Sequence, residues 1–209
     1  MLVLASAGLA VLAMLSLFIG VSNISPETLF SASADGQALQ VLLISRIPRT
    51  LAVLLAGASL AVAGLIMQIL ARNRFVEPST AGTVESATLG ILVVSVLVPG
   101  MPVMGKMAVA AVFALAGTAL FLHILRQVPL RSALMAPLIG LMLGGVISAV
   151  TVFFAYRLEL LQSLNAWLTG SFAGILRGRY ELLWIAALLT VFAFIAADRF
   201  TVAGMGKDF

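Results

Sequence analysis

Few side chains in this chain can do chemistry, and they are scattered. His123 is the only histidine and cysteine is absent, so no metal site is expected from the chain's own residues. Ser171 follows Gly170, and a serine with a histidine base in reach is the minimum for nucleophilic acyl transfer. Glu85 opens an apolar run; a carboxylate at membrane depth lines a pathway, pairs with a neighbour such as Arg72 or Arg74, or stays protonated. A water-contacting position at the inner end of a helix is the plain alternative. Arg46 and Arg49 bracket Pro48 in "SRIPRTLAVLLAG", at the mouth of another apolar run. Pro48 suits the first turn of a helix, and Ile47 before it is expected to be extended. Both charges are then held at a rim, pointing outward; snorkelling to lipid headgroups is the alternative.

The elements that position these residues are read from composition. The chain has 209 residues, 62% of them hydrophobic and 10% charged, with a mean hydropathy of +1.18. Soluble domains are about 45–50% apolar and about 25% charged. One soluble core of this length cannot bury such an excess, so the solvent is lipid. The net charge of +4 does not indicate nucleic acid, because the basic residues sit singly or in pairs between apolar runs.

Six apolar runs, at 2–20, 48–71, 84–100, 106–125, 132–155 and 180–198, predict an all-α polytopic membrane protein with six transmembrane helices. Helices satisfy their own backbone in lipid, and ~20 residues at 1.5 Å each cross about 30 Å of hydrocarbon. The first run has no Lys or Arg before it and is too long for a cleaved signal, so it is read as a retained span, with a signal anchor as the alternative. The third is short and carries Glu85, Ser86 and Gly90, so its first turn is expected inside protein. Pro137 is expected to kink the fifth. Residues 21–47 read as a polar loop with a helix start at Ser25 and Pro26. Residues 126–131 read as a tight basic turn, and 156–179 as a segment able to hold a re-entrant or interfacial helix.

Alternating spans put Arg72, Arg74, Arg126, Arg131, Arg199 and Lys207 on one side, and Arg46, Arg49, Lys106, Arg157, Arg177 and Arg179 on the other. This even split leaves orientation undecided by charge. The same topology separates Ser171 from His123 by a membrane thickness, which argues against a serine hydrolase; His123 beside Arg126 then has a local interfacial role. Tyr156, Trp167, Tyr180 and Trp184 read as an aromatic belt. Gly57, Ala61 and Gly64 share a face of the second span. Gly140 and Gly144 form a GxxxG in the fifth, and Gly170 and Gly174 another in the segment after it. The fifth-span glycines serve either close helix packing or, with Glu85 and Ser148, a substrate pathway.

Three segments together resemble one family. "RIPRTLAVLLAGASLAVAGLIMQ" is similar to the second-span signature of the permease subunits of binding-protein-dependent ABC importers for cobalamin and ferric siderophores. "RNRFVEPSTAGTVESATLG" is similar to that family's first cytoplasmic loop, and "LNAWLTGSFAG" to its W-x-x-G-S segment. Two departures stand out. Arg74, Phe75 and Val76 follow Asn73 where Pro, Leu and Ala are common, a variant resembling a ferric-siderophore subgroup. Glu85 stands where small residues are usual.

The resemblance implies one permease domain over 1–209, the N-terminal part of a ten-helix fold stopping where "AGMGKDF" would open the cytoplasmic coupling loop. It implies a cytoplasmic N-terminus, a cell (inner) membrane location, and Arg46 and Arg49 outside, meeting glutamates of a substrate-binding protein. Asn73, Glu77, Pro78 and Gly82 become cytoplasmic loop or gate residues. The implied partners are that binding protein, an ATPase subunit, a second permease subunit and the bilayer. No cofactor is implied, and ATP hydrolysis belongs to the ATPase, since this chain has no G-x-x-x-x-G-K-[ST]. A secondary transporter or a non-transporting scaffold is the alternative; no internal repeat supports the former.

Overall fold

A computed structural model describes residues 1–19, 40–129, 132–170, 172 and 181–205. Among these residues the regular structure is helical, with no strand. The helices are α1 (Leu2–Phe18), α2 (Ile47–Ala71), α3 (Thr83–Leu97), α4 (Val103–Gln127), α5 (Met135–Arg157), α6 (Leu161–Thr169) and α7 (Glu181–Met205). All but α6 coincide with the apolar runs. Three helical stretches are long and apolar enough to cross a membrane, Leu42–Ala71, Val103–Gln127 and Met135–Arg157, with mean hydropathies of 2.2 to 2.3. The apolar parts of α1, α3 and α7 are shorter. The architecture is an all-α, polytopic membrane fold. Ser25, Pro26, Arg131, Ser171, Gly174, Arg177, Arg179, Tyr180, Gly206 and Lys207 lie outside the described residues.

Two prolines behave differently from expectation, and both for backbone reasons. Pro137 does not kink its helix: it is the third residue of α5, which runs unbroken from Met135. The first four N–H groups of a helix have no intrahelical acceptor, so a missing donor there breaks nothing. Ile47 is not extended, and helix begins upstream of Pro48, at residue 40. Ile47 lies in the right-handed helical region (φ −60°, ψ −52°) and its N–H reaches back to the Leu42 carbonyl. Leu42–Arg46 is a π-helical turn. A proline ring clashes with the carbonyl four residues back; the wider turn makes room, a common use of such bulges.

The chain divides into two compact units, Met1–Ser59 with Ser171–Thr190, and Leu60–Gly170 with Val191–Phe209. In the first, α1 lies against the π-helical turn that leads into α2. Hydroxyls make the specific contacts: Ser16 Oγ and Thr50 Oγ1 are 3.4 Å apart, and Ser59 Oγ and Thr190 Oγ1 are 2.6 Å apart. Hydroxyl pairs between apolar helices fix register where apolar contacts alone would slide.

The second unit is organised around α3. At about 1.5 Å per residue its 15 residues fall short of a bilayer, and it is covered by protein instead. Ser86, Thr88, Gly90, Leu92 and Val94 are buried, with α4 on one side and α5 and α6 on others. A core of Met67, Val76, Ala81, Phe121, Leu125 and Ala136 seals one end, and Leu92, Ala155 and Leu164 seal the other. Between them, α5 meets the turn before α3 backbone to backbone. A Cβ on Gly140 would fall 1.9 Å from the Thr80 carbonyl oxygen. Gly82 has φ +73°, and a Cβ there would meet the Gly144 nitrogen at 3.3 Å.

This contact makes a local prediction. Gly140→Ala must displace backbone, and overpacking of this kind costs about 1–3 kcal/mol. Gly145→Ala, five residues along the same helix, meets nothing within 4 Å. Thermal unfolding in detergent is expected to show a lowered Tm for the first and an unchanged Tm for the second. Equal Tm values would show that the close approach is not maintained in solution.

Candidate functional site

The arginine bracket at the head of α2 separates into two different residues. Arg46 is buried, with 8% of its surface exposed. Its Nη1 donates to the Ile19 carbonyl and, at 3.5 Å, to the Leu17 carbonyl. Those are the last carbonyls of α1, which have no intrahelical donor. A guanidinium there satisfies them and complements the negative end of the helix dipole. Arg49 is exposed. The outward pair read from sequence is thus one capping arginine and one surface arginine, because the π-helical turn rotates Arg46 toward α1. Beside them, Ile47, Pro48, Leu51, Leu55 and Trp184 line an apolar groove of about 640 Å³. It offers no partner for a polar chelate.

The loop after α2 is built by its own side chains. Arg72 adopts φ +49°, turning the chain out of the helix, and the Asn73 N–H bonds the Gln68 carbonyl. Asn73 Oδ1 accepts from the Phe75 N–H at 2.9 Å, and its Nδ2 donates to the Ala133 carbonyl at 2.6 Å. Glu77 starts a 3₁₀ turn, Pro78–Thr80. Its N–H donates to Thr80 Oγ1 at 3.0 Å, and its Oε1 accepts from Ser79 Oγ at 2.6 Å. Pro78 takes the first position of that turn, and Gly82 supplies the left-handed residue that starts α3. Asn73, Glu77, Pro78 and Gly82 therefore all hold one turn, which binds α5 through Gly140 and Gly144. Phe75 stays exposed, under the Arg74 guanidinium at 5.0 Å from the ring centroid.

Of the pathway candidates, Gly140 and Gly144 are occupied by backbone packing. Glu85 and Ser148 come together in a cavity of about 120 Å³, with Thr88, Thr151 and Asn165. Glu85 lies in the first turn of α3, and its Oε2 comes within 3.2 Å of where a Gly144 Cβ would be. That oxygen is buried and has no hydrogen-bond partner among the described residues. Thr88, Thr151 and Asn165 were not singled out from sequence. Their signal was present: Glu85 and Thr88, like Ser148 and Thr151, are three apart and share a helix face. What was missing was the pairing of α3 with α5 and α6.

The remaining candidates stay apart. His123 is exposed and bonds the Gln127 amide on its own helix at 2.8 Å. Tyr156 and Trp184 are exposed, and Trp167 is half-buried. The segment after α5 does hold a helix, α6, which buries Leu164 against the second unit's core.

Comparison with known proteins agrees with this geometry. Residues 8–209 match the model of the FecCD transport family. The petrobactin import system permease protein YclN of Bacillus subtilis is 45% identical over 201 residues, covering 96% of this chain and 63% of that protein. The petrobactin import system permease protein FatD of Bacillus anthracis is 45% identical, covering 95% and 57%. The ferric-anguibactin transport system permease protein FatD of Vibrio anguillarum is 38% identical, covering 92% and 61%. The chain thus spans roughly three-fifths of the length of these relatives. A metal-chelate-type ABC transporter solved in an inward-facing conformation superposes with a TM-score of 0.68 at 27% identity, over 93% of this chain and 61% of that one. With the family match running over nearly all of its length, and the proline-centred turn and the Asn73–Gly82 loop in the expected order, the chain belongs to the FecCD transport family.

Proposed function

We propose that this chain is the membrane-embedded part of an ABC importer that moves a ferric siderophore into the cytoplasm. The observation that carries the reading is the family match over residues 8–209, joined to relatives named for petrobactin and anguibactin transport. A substrate-binding protein delivers the chelate, a second permease subunit completes the path, and an ATPase subunit supplies the energy. Delivery and nucleotide state bias one inward–outward equilibrium, which couples the two faces. The chain lies in the cell (inner) membrane with its N-terminus in the cytoplasm.

Within this reading the two arginines divide the work. Arg49 meets a carboxylate of the binding protein, and Arg46 holds α1 against the rim that carries Arg49. Exposed ion pairs contribute about 0.2–1 kcal/mol, while desolvated interfacial pairs couple by roughly 1.5–7 kcal/mol. Asn73, Glu77, Pro78 and Gly82 form a rigid inner loop near the ATPase side.

The decisive measurement is uptake of radioiron as ferric petrobactin by cells with and without the gene. Loss on deletion with restoration by the gene supports the function; equal uptake of petrobactin, anguibactin and hydroxamate chelates in both strains overturns it. Orientation has a clean reporter, since the chain has no cysteine. Arg49→Cys is expected to react with an impermeant maleimide from outside, and Ser79→Cys only after permeabilisation; the reverse pattern refutes the docking face. Arg49→Glu is expected to weaken binding-protein association most at low salt and leave Tm unchanged. Arg46→Ala is expected to lower Tm, because a hydrogen bond from a charged donor contributes about 1.5–3 kcal/mol.

A further inference from the structure

At one end of the second unit three guanidiniums gather. Ala71, Val76, Leu125 and Ala136 share one buried cluster, so the end of α2, the end of α4 and the start of α5 lie at one level. Arg72 and Arg74 belong to the loop between the first two of these residues, and Arg126 follows the third. All three arginines are exposed, and none forms an ion pair among the described residues. Glu77 is the one carboxylate of residues 72–83, and its Oε1 is taken by Ser79 Oγ in its own turn, at 2.6 Å.

That level is a membrane boundary. The helical stretches Leu42–Ala71 and Val103–Gln127, each long and apolar enough to cross, both end there. Leu70 and Leu138, next to the boundary on α2 and α5, are exposed, as side chains that face acyl chains can be. Phe75 is 43% exposed at the same level, with the Arg74 guanidinium 5.0 Å from its ring centroid. A ring topped by a guanidinium is apolar on one side and charged on the other, and suits the border between acyl chains and headgroups. The pair is held in place, because Asn73 accepts from the Phe75 N–H and donates to the Ala133 carbonyl.

The charge selects the headgroup. A guanidinium fork matches the oxygens of a phosphodiester. A zwitterionic lipid carries its own ammonium beside the phosphate, and an anionic one leaves the phosphate free for the protein's cations. We infer that this rim is a binding surface for anionic phospholipids, with Arg72, Arg74 and Arg126 on the headgroup phosphates and Phe75 among the acyl chains. The inference rests on the membrane fold and not on the cargo the protein carries.

The test moves an indole to the rim. Trp167→Phe and Trp184→Phe remove both native tryptophans, and Phe75→Trp supplies the reporter. The chain is placed in phosphatidylcholine nanodiscs containing either brominated phosphatidylglycerol or brominated phosphatidylcholine at equal mole fraction. Quenching is expected to be stronger with the brominated phosphatidylglycerol, and the difference is expected to shrink as salt is raised. Arg72→Gln, Arg74→Gln and Arg126→Gln are each expected to lower the relative affinity for phosphatidylglycerol about fivefold, with Tm in phosphatidylcholine unchanged. Arg157→Gln, at the far end of α5, is expected to leave the preference intact. Native mass spectrometry of the unsubstituted chain with equimolar phosphatidylglycerol and phosphatidylcholine reads the same preference if the reporter variant fails to fold. Equal quenching by the two lipids, or none by either, would overturn the surface. A preference that survives all three arginine substitutions would give the rim to another partner, such as an acidic protein face. Its removal by inorganic phosphate at constant ionic strength would mark a soluble-anion site instead.

Discussion

The second unit depends on one steric constraint: the turn at Thr80–Gly82 and helix α5 touch through their backbones. Only residues without a Cβ permit it, and Gly140 and Gly82 are those residues. In lipid there is little hydrophobic gain from bringing helices together, so close van der Waals approach and buried hydrogen bonds take its place. The approach sets where α3 begins. It therefore sets which of its side chains face α5, and it puts Glu85 against Gly144. The loop that makes the turn is correspondingly stiff, with Asn73 bonded at both ends of its amide and Glu77 closed on Thr80.

A second constraint acts in the first unit. Helix continues through Pro48 only because the preceding turn widens. The widening rotates residue 46 relative to residue 49, so two identical side chains three positions apart acquire different jobs. Arg46 ends as a cap on α1, where charge and hydrogen-bond demand coincide. Arg49 keeps its charge in the open. A motif that looks like a pair of equals is mechanically a strut and a contact.

Polar groups in the second unit share one pattern. The buried hydroxyls of Ser86, Thr88 and Thr151 each donate to the carbonyl one helical turn back. This keeps the helix satisfied and leaves lone pairs facing inward. Where such hydroxyls meet another hydroxyl, as at Thr83 and Thr118, they join helices.

The helices of this protein could be read from hydropathy alone, because a run of ~20 apolar residues has no stable alternative in lipid to a helix. The family also followed from local order, as the proline bracket, the Asn73–Gly82 loop and the W-x-x-G-S segment are contiguous strings. Helix faces were half readable, since Gly140 and Gly144 announced close packing without naming what would pack there. The π-helical turn, the burial of Arg46 and the gathering of Glu85, Thr88, Ser148 and Thr151 came only from tertiary structure. Each requires knowing which helices are neighbours and how they are rotated. Apolar periodicity fixes rotation poorly when helices are apolar on every side, as lipid allows.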